Sequence, residues 1–142
     1  MARVLIIDDS PTAIRAVGSA LRADGHSTEE LAQFASLAEV LGSFRPEVIV
    51  LDLEMPGFNG VQFARFIKRV SDDPPPIILH SGSDLEKVKV AAKEIRPFEV
   101  VPKGTPPREL SKIVTRAASS SKRPEREDAT GLTRLDVAAR RT

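Results

Sequence analysis

Three aspartates, one serine and one lysine each stand directly after a short apolar run. Asp8 and Asp9 follow Val4-Leu5-Ile6-Ile7, and Asp52 follows Val48-Ile49-Val50-Leu51. Ser81 follows Ile77-Ile78-Leu79-His80, and Lys103 follows Val100-Val101-Pro102. Brought together, these groups suit phosphate chemistry. Carboxylates held close disfavour one another's ionised form unless a cation offsets them. Magnesium suits such a site, because it takes oxygen ligands, keeps several waters and uses one or two carboxylates beside phosphate oxygens. Asp8, Asp9 and Asp52 offer that hard-oxygen set, with the backbone carbonyl of Glu54, two residues past Asp52, as a further ligand. A carboxylate can also attack phosphorus and hold the phosphoryl group as an acyl phosphate. Asp52 stands alone after its run and is the candidate nucleophile, while the Asp8-Asp9 pair is better placed to hold the metal. Lys103 can pair with phosphoryl oxygens and Ser81 can hydrogen-bond to one of them, since this transfer depends on positioning and charge neutralisation.

The five side chains meet only if the four runs are parallel neighbours in one sheet, where ligands bind beyond the carboxyl ends of the strands. The chain has that alternation. Continuous apolar runs suit strands buried on both faces, and amphipathic helical patterns separate them, giving five βα units. Ser10 as N-cap and Pro11 at the first helical position open the first helix, which stops at Gly25 and buries Ile14, Val17 and Leu21. A weaker strand follows around His26 to Ala32, then a helix carrying Leu37, Val40, Leu41 and Phe44. Pro56-Gly57-Phe58-Asn59-Gly60 is turn chemistry, and Phe63, Phe66, Ile67 and Val70 then repeat at helical spacing. Pro74-Pro75-Pro76 is a stiff connector into the fourth run. Val88, Ala91, Ala92 and Ile95 mark a fourth helix, and Leu110, Ile113, Val114 and Ala117 a fifth.

Composition narrows the function further. At 142 residues the chain fits one domain, with residues 1–118 as its body. The segment 119–142 shifts to Ser, Pro, Gly and charge and reads as a flexible tail, with one short helix near 132–141. With 21 basic and 20 acidic residues, no strongly basic patch exists for a phosphate backbone, so nucleic acid is not expected as a direct partner. There is no uncharged run long enough to span a membrane and no signal peptide, which points to a cytoplasmic protein. The absence of cysteine excludes a disulfide scaffold and a thiol nucleophile. His26 and His80 have no partner at zinc-ligand spacing, and His80 is expected to line the pocket or core.

Singly, each element has a plainer reading. Asp8-Asp9-Ser10-Pro11 can simply cap a helix, Met55-Pro56-Gly57 is an ordinary turn, and Ser81-Gly82-Ser83-Asp84 can cap the next helix. Their joint placement at four strand ends is what caps and turns do not require. At these residues the chain resembles a two-component response-regulator receiver domain. Val4 to Ser10 is similar to the family's first strand and acidic pair, and Val48 to Gly60 to its phosphoacceptor strand and loop. Ser81 falls where the family has Thr or Ser, and Lys103 at its lysine, with separations of 43, 29 and 22 residues among Asp9, Asp52, Ser81 and Lys103.

The resemblance implies a flavodoxin-like five-stranded parallel sheet in the order 2-1-3-4-5, with helices on both faces. It implies that Asp52 accepts phosphate from a histidine kinase or phosphotransfer protein with Mg2+ bound, then loses it slowly by hydrolysis. It also implies signalling to a downstream protein partner rather than enzymatic turnover. One departure concerns the output. The family often carries an aromatic residue three positions before the lysine, and here that position is Val100, with Phe98 nearby. Two alternatives therefore stand: a docking module indifferent to phosphorylation, and an aspartate-nucleophile phosphohydrolase suggested by Asp52-Leu53-Glu54.

Overall fold

The computed structural model describes residues 1–55 and 58–121. The short helix expected near 132–141 lies outside the described residues. Strand β1 (Arg3–Ile7) leads into α1 (Pro11–Ala23), then β2 (Ser27–Leu31), a 3-10 turn at Phe34–Ser36 and α2 (Leu37–Phe44). Next come β3 (Val48–Leu51), the short strands β4 (Glu54–Met55) and β5 (Phe58–Asn59), and α3 (Gly60–Val70). The chain finishes with β6 (Ile77–Ser81), α4 (Leu85–Ile95), β7 (Glu99–Pro102) and α5 (Pro107–Ser121). Helix α5 thus continues past residue 118 into the stretch read as tail.

Five strands form one parallel sheet in the order β2-β1-β3-β6-β7, which is 2-1-3-4-5 when the main-sheet strands alone are counted. Register is continuous across the centre, with Ile6 opposite Val50 and Val50 opposite Ile78. Every residue of β3 and β6 is buried, as expected of strands covered on both faces. The weak second strand is an edge, and Thr28, Glu29 and Glu30 there leave a polar edge that discourages pairing with another chain.

Side-chain alternation splits the core into two layers. Leu5, Ile7, Ile49, Leu51 and Leu79 face α2, α3 and α4, packing on Leu37, Phe63, Ile67, Val88 and Ile95. Val4, Ile6, Val48, Val50 and Ile78 face α1 and α5, packing on Val17, Leu21, Leu110 and Val114. Phe63 is fully buried and meets Phe34 edge-on at 5.4 Å, which ties the 3-10 turn to α3. Truncating such a ring typically costs about 3–5 kcal/mol.

Helix ends follow local chemistry. Ser10 caps α1 through Ala13 N–H, with Pro11 in the first turn, and Gly25 after the helix takes φ +90°. Asp84 caps α4 by accepting from Lys87 N–H. The stretch around residue 57, expected as a plain turn, is flanked by a small antiparallel hairpin pairing Glu54 with Asn59 and Met55 with Phe58. Asn59 then makes a reciprocal capping box with Gln62. Gly60 is required where it stands: a Cβ would lie 2.6 Å from the Asp52 carbonyl oxygen.

Candidate functional site

The site is built at the carboxyl edge of the sheet, where β1, β3, β6 and β7 hand over to loops. Backbone hydrogen bonds carry the ladder one step past the strands. Asp52 N–H donates to Ile7 O at 2.8 Å, Asp8 N–H to Leu31 O at 3.1 Å, and Lys103 N–H to Ser81 O at 3.0 Å. The first polar residue after each run is thereby fixed by the same sheet that forms the core.

Asp8, Asp9 and Asp52 converge as expected, with one carboxylate oxygen from each lying within 4.8 Å of the others. Asp8 and Asp52 are buried and Asp9 is exposed, so the cluster has a sheltered floor and an open rim. Asp8 divides its acceptors: Oδ1 takes Ser10 N–H at 2.9 Å, and Oδ2 takes the Lys103 ammonium at 2.8 Å. The same Nζ lies 3.8 Å from Asp52 Oδ2. Lys103 thus reaches two of the three carboxylates, and the clustered negative charge favours a cation with oxygen preference. The donor set fits Mg2+, whose site needs hard oxygens and room for water.

Ser81 is buried at the end of β6, and its Oγ accepts from Ser83 N–H at 3.0 Å. A hydroxyl that accepts this bond still has its own proton to donate. Gly82 lies beside the Lys103 stem, which a Cβ at that position would meet at an ordinary contact distance of 3.5 Å. Glu54 begins β4 two residues beyond Asp52, so its carbonyl belongs to the loop leaving the site. The Ser81 to Asp84 stretch has a buried hydroxyl at its start and the α4 cap at its end.

His80 lies within the core layer at 4% exposure, and burial, aided by the Lys103 charge, pushes its pKa down to about 4. It is therefore neutral near pH 7 and sits beneath the site without adding charge to it. On β7, Val100 is 38% exposed. The neighbouring Phe98 lies under the Arg116 guanidinium at 5.7 Å, and Arg116 also binds Glu99 at 2.8 Å. No helix among the described residues is long and apolar enough to cross a membrane.

Residues 4–115 match the model of the response regulator receiver domain. A protein-glutamate methylesterase/protein-glutamine glutaminase from Agrobacterium fabrum is 36% identical over 114 residues, covering 75% of this chain and 31% of that protein. The DNA-binding response regulator MtrA of Mycolicibacterium smegmatis is 30% identical over 135 residues, covering 95% of this chain and 57% of MtrA. This chain thus spans a third to somewhat over half of those two relatives' lengths. Among solved structures, the chemotaxis protein CheY4 of Vibrio cholerae superposes with a TM-score of 0.73 at 27% identity, over 82% of this chain and 98% of that one.

Proposed function

The chain belongs to the response regulator receiver domain family, and from that premise we propose that it is a phosphoacceptor switch modified on Asp52. The observation carrying this reading is the convergence of three carboxylates within 4.8 Å, with Lys103 Nζ at 2.8 Å from Asp8 and 3.8 Å from Asp52. Asp52 combines burial at the end of the central strand β3 with a carboxylate oxygen 3.8 Å from Lys103 Nζ, which favours it as the acceptor.

In the proposed reaction an Asp52 carboxylate oxygen attacks the phosphorus of a phosphohistidine on a histidine kinase or phosphotransfer protein. The new P–O bond forms as the P–N bond breaks, and the departing imidazole takes up a proton. Asp8, Asp9, Asp52 and the Glu54 carbonyl would hold Mg2+, which supplies neutralisation of phosphoryl charge when bound. Lys103 Nζ pairs with a phosphoryl oxygen, which requires it to loosen from Asp8, and the Ser81 hydroxyl donates to another. Hydrolysis of the acyl phosphate by water resets Asp52. The phosphorylated form signals through contact with another protein, and the relatives' larger proteins are no guide to which one.

Incubation with acetyl phosphate and Mg2+ followed by intact-mass measurement tests the proposal. A single phosphoryl adduct is expected, lost with chelator and lost in Asp52→Asn. Absence of an adduct in the parent chain would favour a docking module indifferent to phosphorylation, and rapid turnover of phosphate esters would favour a phosphohydrolase.

A further inference from the structure

The two histidines of the chain have opposite surroundings. His26 has a partner on each ring nitrogen, Ala2 N–H at 3.0 Å and Thr115 Oγ1 at 3.1 Å. His80 is 4% exposed, yet neither of its nitrogens has a hydrogen-bond partner among the described residues. A neutral imidazole carries one donor and one acceptor. Burying both unused is costly, and such groups in a native core call for an explanation. None of the steps assigned to the carboxylates, Ser81 and Lys103 uses this ring.

Sheet register gives its place. Ile7 pairs with Leu51, and Leu51 with Leu79. The next residues on these three neighbouring strands are Asp8, Asp52 and His80. Two positions earlier, Ile6, Val50 and Ile78 share the core layer under α1 and α5. Side chains alternate along a strand, so Asp8, Asp52 and His80 fall on that same face. Val101, which pairs with His80, belongs to the layer too, and Lys103 follows two residues later. Neighbouring strands lie about 4.8 Å apart, which makes His80 the lateral neighbour of Asp52 on the side away from Asp8. The charges acting on His80 agree with this place, being those of Lys103 and Asp8.

Resting on the reading of Asp52 as phosphoacceptor, we propose that His80 is a further residue of the site, its imidazole N–H donating to the phosphoryl group that Asp52 carries. The ring has no protein partner to give up. The bond is therefore gained only when the phosphoryl group is present, and it favours that state over the unmodified one. Lys103, by contrast, has to loosen from Asp8 before it makes its own contact. The imidazole is neutral near pH 7, so it adds a directed donor without changing the charge of the carboxylate cluster.

Beryllofluoride with Mg2+, a phosphoryl analogue, is the probe, read by titration calorimetry and by 15N–1H spectra of the imidazole. On saturation a protected His80 imidazole N–H signal is expected to emerge. His80→Val should bind about tenfold more weakly, the scale of one hydrogen bond to a charged group. His80→Gln, whose amide keeps an N–H, should recover most of that loss. Imidazole signals unmoved at saturation, or His80→Val binding as tightly as the parent, would overturn the proposal. Equal weakening in both variants would assign the loss to packing, and that too would overturn it. A parent chain that neither binds beryllofluoride nor takes a phosphoryl group from acetyl phosphate would remove the phosphoacceptor reading itself, and the role of His80 with it.

Discussion

The two edges of the sheet solve opposite electrostatic problems. At the amino edge several charges and polar groups are matched. Arg3 meets Glu47, Ser111 donates to Asp24 Oδ2 at 2.5 Å, and His26 satisfies both ring nitrogens. His26 Nδ1 accepts Ala2 N–H at 3.0 Å while Nε2 faces Thr115 Oγ1 at 3.1 Å, and the Thr115 hydroxyl donates to Ser111 O. Since the Thr115 proton is already used, Nε2 carries the imidazole proton and the ring is neutral. At the carboxyl edge three carboxylates cluster within 4.8 Å, and the Lys103 ammonium reaches two of them, Asp8 and Asp52. Carboxylates clustered on a rigid sheet suit an edge that receives a cation, whereas matched polar groups fasten elements together.

Removing the Lys103 ammonium is the severest way to break this contrast. Lys103→Ala should slow phosphorylation by about a hundredfold, the scale seen when one electrostatic donor to a transferring group is lost. The same variant should gain more thermal stability from added Mg2+ than the parent, because the ammonium that offsets Asp8 and Asp52 is gone. Phosphorylation time courses and melting curves with and without Mg2+ check both expectations.

A smaller effect is expected from pH. An ordinary histidine titrates near 6.5, and burial lowers the pKa of both His80, to about 4, and His26. A lowered folded pKa means that the unfolded chain binds the proton more readily. The stability tied to these rings is present above pH 6.5 and is lost as pH falls below it, for His80 down to about 4. For His80 the full window corresponds to about 3 kcal/mol. His80→Val should flatten the stability profile between pH 6.5 and 4, as read by denaturant unfolding.

His26→Leu disturbs the matched edge alone. It leaves Ala2 N–H unpaired, and should cost about 2 kcal/mol. Phosphorylation by acetyl phosphate should keep the parent rate. A large loss of rate would mean that the two edges are not separable in the way described.

The functional edge was legible because strand-end position and residue type coincide there. A β-branched run fixes the strand, and the ladder then carries Asp8, Asp52 and Lys103 one step beyond it. Ser10-Pro11 was equally plain as a helix start. The β4–β5 hairpin was not, because two-residue strands carry no period and Pro56-Gly57 dominates that stretch. The Asn59-Gln62 capping box was readable from its three-residue spacing and lay hidden behind the turn signal. The short Lys103–Asp8 pairing joins residues 95 positions apart and depends on sheet order, which no local pattern states. The amino-edge network was illegible for the same reason: His26 reaches Thr115 across 89 residues and carries no motif.

Asp52 is the residue that carries the phosphoryl group in the proposed reaction. Borohydride reduces an acyl phosphate of aspartate to homoserine, so reduction after acetyl phosphate and Mg2+ treatment, followed by peptide mass mapping, locates the site. The account predicts homoserine at position 52 and unmodified aspartate at positions 8 and 9. Homoserine at either of those positions, or a phosphorylated chain with position 52 unchanged, would contradict it.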